Sequence, residues 1–126
     1  MPLEDIHKSL ELCRKYGLAS FVCAQDNDEV RSIAKLNLDF IAIEPPELIG
    51  GNVSISESTP ESIKQAVADL EKVFPNTQLL CGAGINTRKD VEKAIQLGAK
   101  GILVASVVVK AENIEETLEE LIKGML

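Results

Sequence analysis

Two textures alternate along this chain. Ala19-Ser20-Phe21-Val22-Cys23-Ala24, Phe40-Ile41-Ala42-Ile43, Gln78-Leu79-Leu80-Cys81 and Gly101-Ile102-Leu103-Val104-Ala105 are short apolar runs. Their lack of polar alternation predicts strands buried on both faces. Between them apolar residues recur at helical spacing. Leu3, Ile6, Leu10 and Cys13 fall on one stripe, Ile63, Val67, Leu70 and Phe74 on another. Val91, Ala94 and Ile95 follow, then Ile114, Leu118, Leu121 and Met125.

The punctuation agrees. Thr59 before Pro60 reads as an N-cap followed by a residue whose fixed φ suits the first helical position. Asp26, Thr87 and Asn113 each stand three residues before an acid, Glu29, Asp90 and Glu116, as helix starts favour. Gly17, Gly98 and Gly124 sit where a C′ residue would turn left-handed. The order is a helix and then four strand–helix units, which implies parallel strands with right-handed crossovers.

Length now limits the architecture. The 126 residues hold one domain. A closed barrel of eight such units takes about 250 residues. The expected fold is therefore α/β, four parallel strand–helix units in a single domain over residues 1–126. Its two outer strands would carry unpaired backbone groups. Such a chain is expected to pair those edges in a twofold dimer or higher homo-oligomer. Otherwise it would rearrange into a small open sheet with helices over both faces.

Composition changes the picture in three ways. With 45% apolar and 26% charged residues the chain reads as soluble and globular, and no apolar run nears the roughly 20 residues that span a bilayer. The opening Met1-Pro2-Leu3-Glu4-Asp5 lacks the apolar core of a signal peptide, so a cytoplasmic setting is expected. A net charge of −7, three Phe, one Tyr and no Trp leave neither a basic stripe nor a stacking platform for nucleic acid. An anion would have to be held by backbone N–H groups. Cys13, Cys23 and Cys81 have no ligand-like spacing, so no metal is expected, and they read as small buried hydrophobes in a reducing setting. Glu112, Glu115, Glu116, Glu119 and Glu120 read as a solvated helix face.

In parallel α/β folds ligands gather at the carboxyl ends of strands. The first end, Ala24-Gln25-Asp26, says little. At the second, Glu44 ends the strand, Pro45 and Pro46 stiffen the exit, Leu48 and Ile49 form an apolar tip, and Gly50 and Gly51 close the stretch. Stiff ends around a tip describe a lid that excludes water above a general base. The plainer reading is that Glu44 caps a helix or is simply exposed. At the third end, Cys81-Gly82-Ala83-Gly84-Ile85, small residues let amides approach an anion while the next helix points its positive end inward. It is not the G-x-G-x-x-G of a dinucleotide site, so no such cofactor is expected. The fourth end, Val104-Ala105-Ser106-Val107, is again small where a phosphate could dock.

Glu44-Pro45-Pro46-Glu47-Leu48-Ile49-Gly50 resembles the catalytic glutamate and hinged lid of the triosephosphate isomerase family, in its shorter archaeal form. Leu80-Cys81-Gly82-Ala83-Gly84-Ile85 resembles that family's seventh strand end, and Leu103-Val104-Ala105-Ser106 its eighth. The likeness runs over essentially the whole chain, but only against the family's second half. It implies that residues 1–126 are a single half-barrel domain, half of a TIM (β/α)8 barrel whose open inner face a second copy or a complementary N-terminal half would cover. It also implies the interconversion of dihydroxyacetone phosphate and glyceraldehyde 3-phosphate in glycolysis and gluconeogenesis. Carried over by position, Glu44 would be the base. Gly50, Gly84, Ala105 and Ser106 would offer amides to the substrate phosphate. Pro45, Pro46, Glu47, Leu48, Ile49, Gly50 and Gly51 would form the lid. No cofactor and no metal is implied.

The departures are specific. The family's lysine and histidine electrophiles lie in the half not matched, and His7, the sole histidine, belongs to the opening helix. Gly50-Gly51-Asn52 stands where the family has Gly-Thr-Gly, and Val107 where archaeal relatives tend to have glycine. Little isomerase activity is expected of the chain alone. The alternative is a phosphate-ligand binding or scaffold module, flavodoxin-like or cut from another phosphate-binding barrel. Thiazole synthase and indole glycerol-phosphate synthase have similar glycine turns. A folding fragment without activity is the third reading.

Overall fold

The computed structural model describes residues 1–50, 53–57 and 61–126. The chain runs α1 (Leu3–Lys15), β1 (Phe21–Ala24), α2 (Asn27–Ala34), β2 (Phe40–Ile43), a 3-10 turn (Pro46–Leu48), α3 (Glu61–Val73) and β3 (Gln78–Cys81). It ends with α4 (Arg88–Gln96), β4 (Gly101–Ile102), α5 (Ser106–Val109) and α6 (Ile114–Lys123). The expected caps form at three helix starts. Asp26 accepts from the Glu29 amide, Asn113 from Glu116, and Thr87 with Asp90 makes a full capping box. The Thr59–Pro60 start lies outside the described residues.

All strands are parallel and lie in the order β1-β2-β3-β4. Consecutive strands of a barrel lie this way, whereas a doubly wound sheet reverses direction at a switch point. The flavodoxin-like alternative is thereby excluded as a topology. Register puts Ala24, Ile43, Cys81 and Ile102 in one row, and Cys23, Ala42, Leu80 and Gly101 in the next. The first row, with Ile41 and Leu79, packs on Ile6, Leu10, Ile33, Ile63, Leu70 and Val91 of the helices. Helices and core thus share one face of the sheet, and the expected rearrangement over both faces does not occur.

The other face corrects the reading of doubly buried strands. Cys23 is exposed, and Phe21 is 43% exposed while stacking on Phe40 at 6.4 Å between ring centroids. A run without polar alternation told only that no face was polar, not that both were covered. Phe40 N–H donates to Ser20 O and Glu44 N–H to Ala24 O. The backbone groups of Phe21 and Cys23 therefore point to the outer edge of β1, which pairs with no strand among the described residues.

Four local expectations also change. β4 ends at Ile102 rather than Ala105, because the ladder stops after Leu103 N–H donates to Cys81 O. On α6 only Leu121 is buried, whereas Ile114 and Leu118 stand 50% and 40% exposed, and Met125, just past the helix, 43%. The helix packs mainly on α4 and α5, with Leu121 as its one buried residue. Of the three glycines, Gly17 and Gly98 adopt positive φ, but Gly124 has φ −71°. Gly124 is needed for room instead, since a Cβ there would lie 2.6 Å from Arg88 O and 2.7 Å from Val91 Cβ. Among the cysteines only Cys81 is buried, Cys13 being half-buried. No helix of the described residues is long and apolar enough to cross a membrane.

Candidate functional site

Strand alternation aims Glu44 onto the face that carries Ala42, away from the helical core. There it meets Gly82 on the neighbouring strand end. A Cβ at Gly82 would fall 2.6 Å from Glu44 Cγ and 3.1 Å from its Oε1, so the glutamate lies over a bare α-carbon. On its other side is the Cys23 thiol. Partial burial pushes that thiol up from its ordinary value, and the charge and hydrogen bond of Glu44 push it further.

The segment after Glu44 is fixed at one point and free at the next. Pro45 is buried, and Leu48 N–H donates to Pro45 O at 2.9 Å to close the 3-10 turn. Leu48 is 2% exposed and Ile49 is 58% exposed. The apolar tip read from the sequence is thus Ile49 alone, and Leu48 is an anchor seated on the Gly84 turn. Pro46, Glu47 and Gly50 are exposed, Gly50 having open space around it. Gly51, the last residue of the expected lid, lies outside the described residues, as does Asn52.

Gly84 needs its identity twice over. Its φ is +73°, and a Cβ would stand 3.2 Å from Ile55 N and 3.3 Å from Leu48 Cδ1. Its carbonyl accepts from Ile55 N–H at 2.9 Å. The turn continues into α4, and the two amides just before the helix are already taken: the Asp90 carboxylate accepts from Asn86 N–H at 3.0 Å and Thr87 N–H at 2.8 Å. Asp90 is fully buried. Burial alone would raise its pKa, yet hydrogen bonds from Ser56, Asn86 and Thr87 outweigh that and hold the carboxyl below its ordinary value.

Glu44, Leu48, Gly50, Gly84, Ala105 and Ser106 line one cleft of about 270 Å³. All four proposed phosphate-binding positions and the proposed base thus share a mouth. Val107 lines it too. Glu44 is the one charged residue among the described residues of the lining, so an anion there would be gripped by backbone N–H groups. His7 is exposed on α1 and does not line this cleft. A second cleft, about 790 Å³ and also without His7, runs beside the outer edge of β1 between α1 and α2. Its charged residues are Asp26, Asp28, Glu29 and Glu44, all acidic, which suits no anion. Among the described residues no group of three or more His, Cys, Asp or Glu could hold a metal ion.

Two participants escaped the sequence reading. Cys23 beside Glu44 follows only from register. Asp90 was legible as a cap, but its bonds to Ser54 and Ser56 join residues more than thirty positions apart.

Comparison with known proteins gives a consistent picture. The family described as triosephosphate isomerase matches residues 3–123. The triosephosphate isomerase of Methanocaldococcus jannaschii is 42% identical over 98% of this chain and 56% of its own length. That of Archaeoglobus fulgidus is 44% identical over 100% of this chain and 56% of its own. The chain therefore spans about half the length of the curated relatives it matches. Among solved structures, thiamine phosphate pyrophosphorylase from Pyrococcus furiosus superposes with a TM-score of 0.71 at 22% identity, covering 98% of this chain and 54% of that one. An archaeal fructose 1,6-bisphosphate aldolase gives 0.69 at 20% identity, covering 97% and 52%. At such identities the likeness concerns the fold alone.

Proposed function

The chain belongs to the triosephosphate isomerase family, and from that premise we propose that it is the part of such an isomerase that carries the base and grips the phosphate. Glu44 would move a proton between adjacent carbons of dihydroxyacetone phosphate and glyceraldehyde 3-phosphate. Amides at Gly50, Gly84, Ala105 and Ser106 would hold the phosphate, and residues 45–51 would close over it. The single observation that carries the reading is the common cleft of Glu44 with those four positions. The pairing of a glutamate base with a neutral histidine electrophile in this family is itself a standard worked example of pKa tuning.

What this cleft lacks, among its described lining, is any Lys, Arg or His to polarise the carbonyl. Such groups are commonly the largest catalytic contribution. Turnover by these residues alone should accordingly fall on the order of 10⁴-fold short of a complete site. The missing groups would come from the rest of the barrel, joined at the outer edge of β1. A second copy suits that edge less well, since β4 offers two ladder residues against the four of β1. On this reading the setting is the cytoplasm, where charge retains phosphorylated trioses.

Deuterium exchange separates this reading from a phosphate-binding module. Dihydroxyacetone phosphate is incubated in D₂O with the chain, with and without an added N-terminal half of a relative, and carbon-bound deuterium is followed by NMR. Exchange should rise strongly with the added half and vanish in Glu44→Gln, while inorganic phosphate binding survives the substitution. Exchange unaffected by Glu44→Gln would overturn the assignment.

A further inference from the structure

A carboxylate three residues into a helix ordinarily caps that helix and nothing else. Asp90 does more. Its Oδ2 takes Asn86 N–H at 3.0 Å, Thr87 N–H at 2.8 Å and the Thr87 hydroxyl at 2.9 Å, which is the capping part. The Ser54 hydroxyl also donates to Oδ2 at 3.2 Å, and Ser56 N–H donates to Oδ1 at 3.0 Å. A cap has no use for these last two. Residues 54–56 belong to a different stretch of chain, the one that follows the 45–51 segment. Between them Ile55 N–H donates to Gly84 O at 2.9 Å. The Asn86 side chain adds a bond to the Ser54 hydroxyl at 3.3 Å. Asp90 is the only fully buried carboxylate among the described residues, so the cost of hiding its charge is offset by these five donors together.

The geometry points to Asp90 as a positioning residue that locks residues 54–56 to the 84–87 turn. That locked pair forms the wall on which Leu48 of the lid seats, since a Cβ added at Gly84 would stand only 3.3 Å from Leu48 Cδ1. Asp90 would thereby set both the aim of the Gly84 amide and the docking of the lid, without touching a ligand itself. This rests on the reading of Gly84 as part of the phosphate grip. An asparagine would keep the size of the side chain but lose one acceptor oxygen and present an NH₂ group to donors. One of the two segments must then let go.

The test uses two variants and two readouts. Asp90→Asn attacks cap and lock together, whereas Ser54→Ala leaves every bond within α4 and removes the two bonds of the Ser54 hydroxyl, to Asp90 and from the Asn86 side chain. Amide hydrogen exchange is read at Ile55, Ser56 and, within α4, Val91 and Ala94. The dissociation constant for inorganic phosphate is read from the Gly84 and Ser106 amide shifts. With the lock, Asp90→Asn speeds exchange at Ile55 and Ser56 about tenfold or more and weakens phosphate binding by a similar factor. Ser54→Ala speeds exchange at the same two amides several-fold, with Val91 and Ala94 unchanged. Variants in which Ile55 and Ser56 stay as protected as in the parent overturn the proposal and leave Asp90 a cap. Should Asp90→Asn not fold, Ser54→Ala decides alone. A parent chain that shows no phosphate-induced shifts defeats the functional reading instead, and the exchange rates still judge the lock.

Discussion

Glu44 lies across the α-carbon of Gly82 so closely that a methyl group there would stand 2.6 Å from its Cγ. The glycine is therefore occupied from above by the carboxylate side chain, whatever it does for an anion. Gly82→Ala must push the glutamate aside, and the new methyl would also stand 3.3 Å from the Ala42 methyl. The expected cost is about 1–3 kcal/mol of stability, as for other overpacked sites. Urea unfolding measures this, and exchange of substrate protons should fall with the displaced carboxylate. A variant as stable as the parent, with unchanged exchange, would show that Glu44 has another resting place.

Cysteine labelling reports the same neighbourhood independently. The thiolate is the reactive form. Burial pushes the Cys81 thiol up to about 11, so Cys81 should label with iodoacetamide only as the chain unfolds. Cys23 is exposed, but partial burial of its sulfur and the negative Glu44 both disfavour its thiolate. Glu44→Gln removes that charge while keeping the shape. Alkylation of Cys23 at pH 8, followed by mass spectrometry, should then be faster than in the parent. An unchanged rate would place the two side chains farther apart than the register implies.

Much of this was legible beforehand, and the limits have physical causes. Element order follows from texture, because buried strands and amphipathic helices spend their apolar residues differently. Phe21, Cys23 and the C-terminal stripe of Ile114, Leu118 and Met125 were read as covered because a pattern records which residues are apolar, not which neighbours exist. Glu44, Gly84 and Ser106 were findable at strand ends, since parallel sheets collect chemistry there. Asp90 was found only as a cap. Its partners at positions 54 and 56 arrive through tertiary folding, and no local spacing announces them.

Acid should weaken the fold through two carboxylates. Ser20 N–H and the Ser20 hydroxyl donate to Asp39 at 2.7 and 2.8 Å, holding its carboxyl below the ordinary 3.8. Burial would push Asp90 up, but its hydrogen bonds hold it below the same value. A folded-state value below the unfolded one means the unfolded chain binds protons first. Both contributions are thus full above about pH 4 to 5 and drain away as pH falls through the folded values. Urea midpoints should stay level from pH 7 to 5 and drop below about 4. Asp39→Asn should be less stable than the parent at pH 7 yet fall less steeply below pH 4. Parallel curves for the two chains would refute the role given to Asp39.

The outer edge of β1 offers the last prediction. Ser20 and Ala24 spend their carbonyls on β2, and strand alternation turns the amides of Phe21 and Cys23 the other way. Gln25 N–H, next along that edge, is already taken by Glu29 Oε2 at 2.8 Å. The edge is therefore capped at one end and open for two residues. Beside it runs the cleft of about 790 Å³ between α1 and α2. A parallel strand laid there would bond the Phe21 and Cys23 amides and cover the Phe21 ring, which is 43% exposed. Hydrogen exchange at those two amides should be near the rate of free peptide in the isolated chain. It should slow by orders of magnitude when an N-terminal half of a relative is added. Dilution separates the remaining case. Protection that appears in the chain alone and fades as its concentration drops would make a second copy, not a complementary half, the strand that completes the sheet.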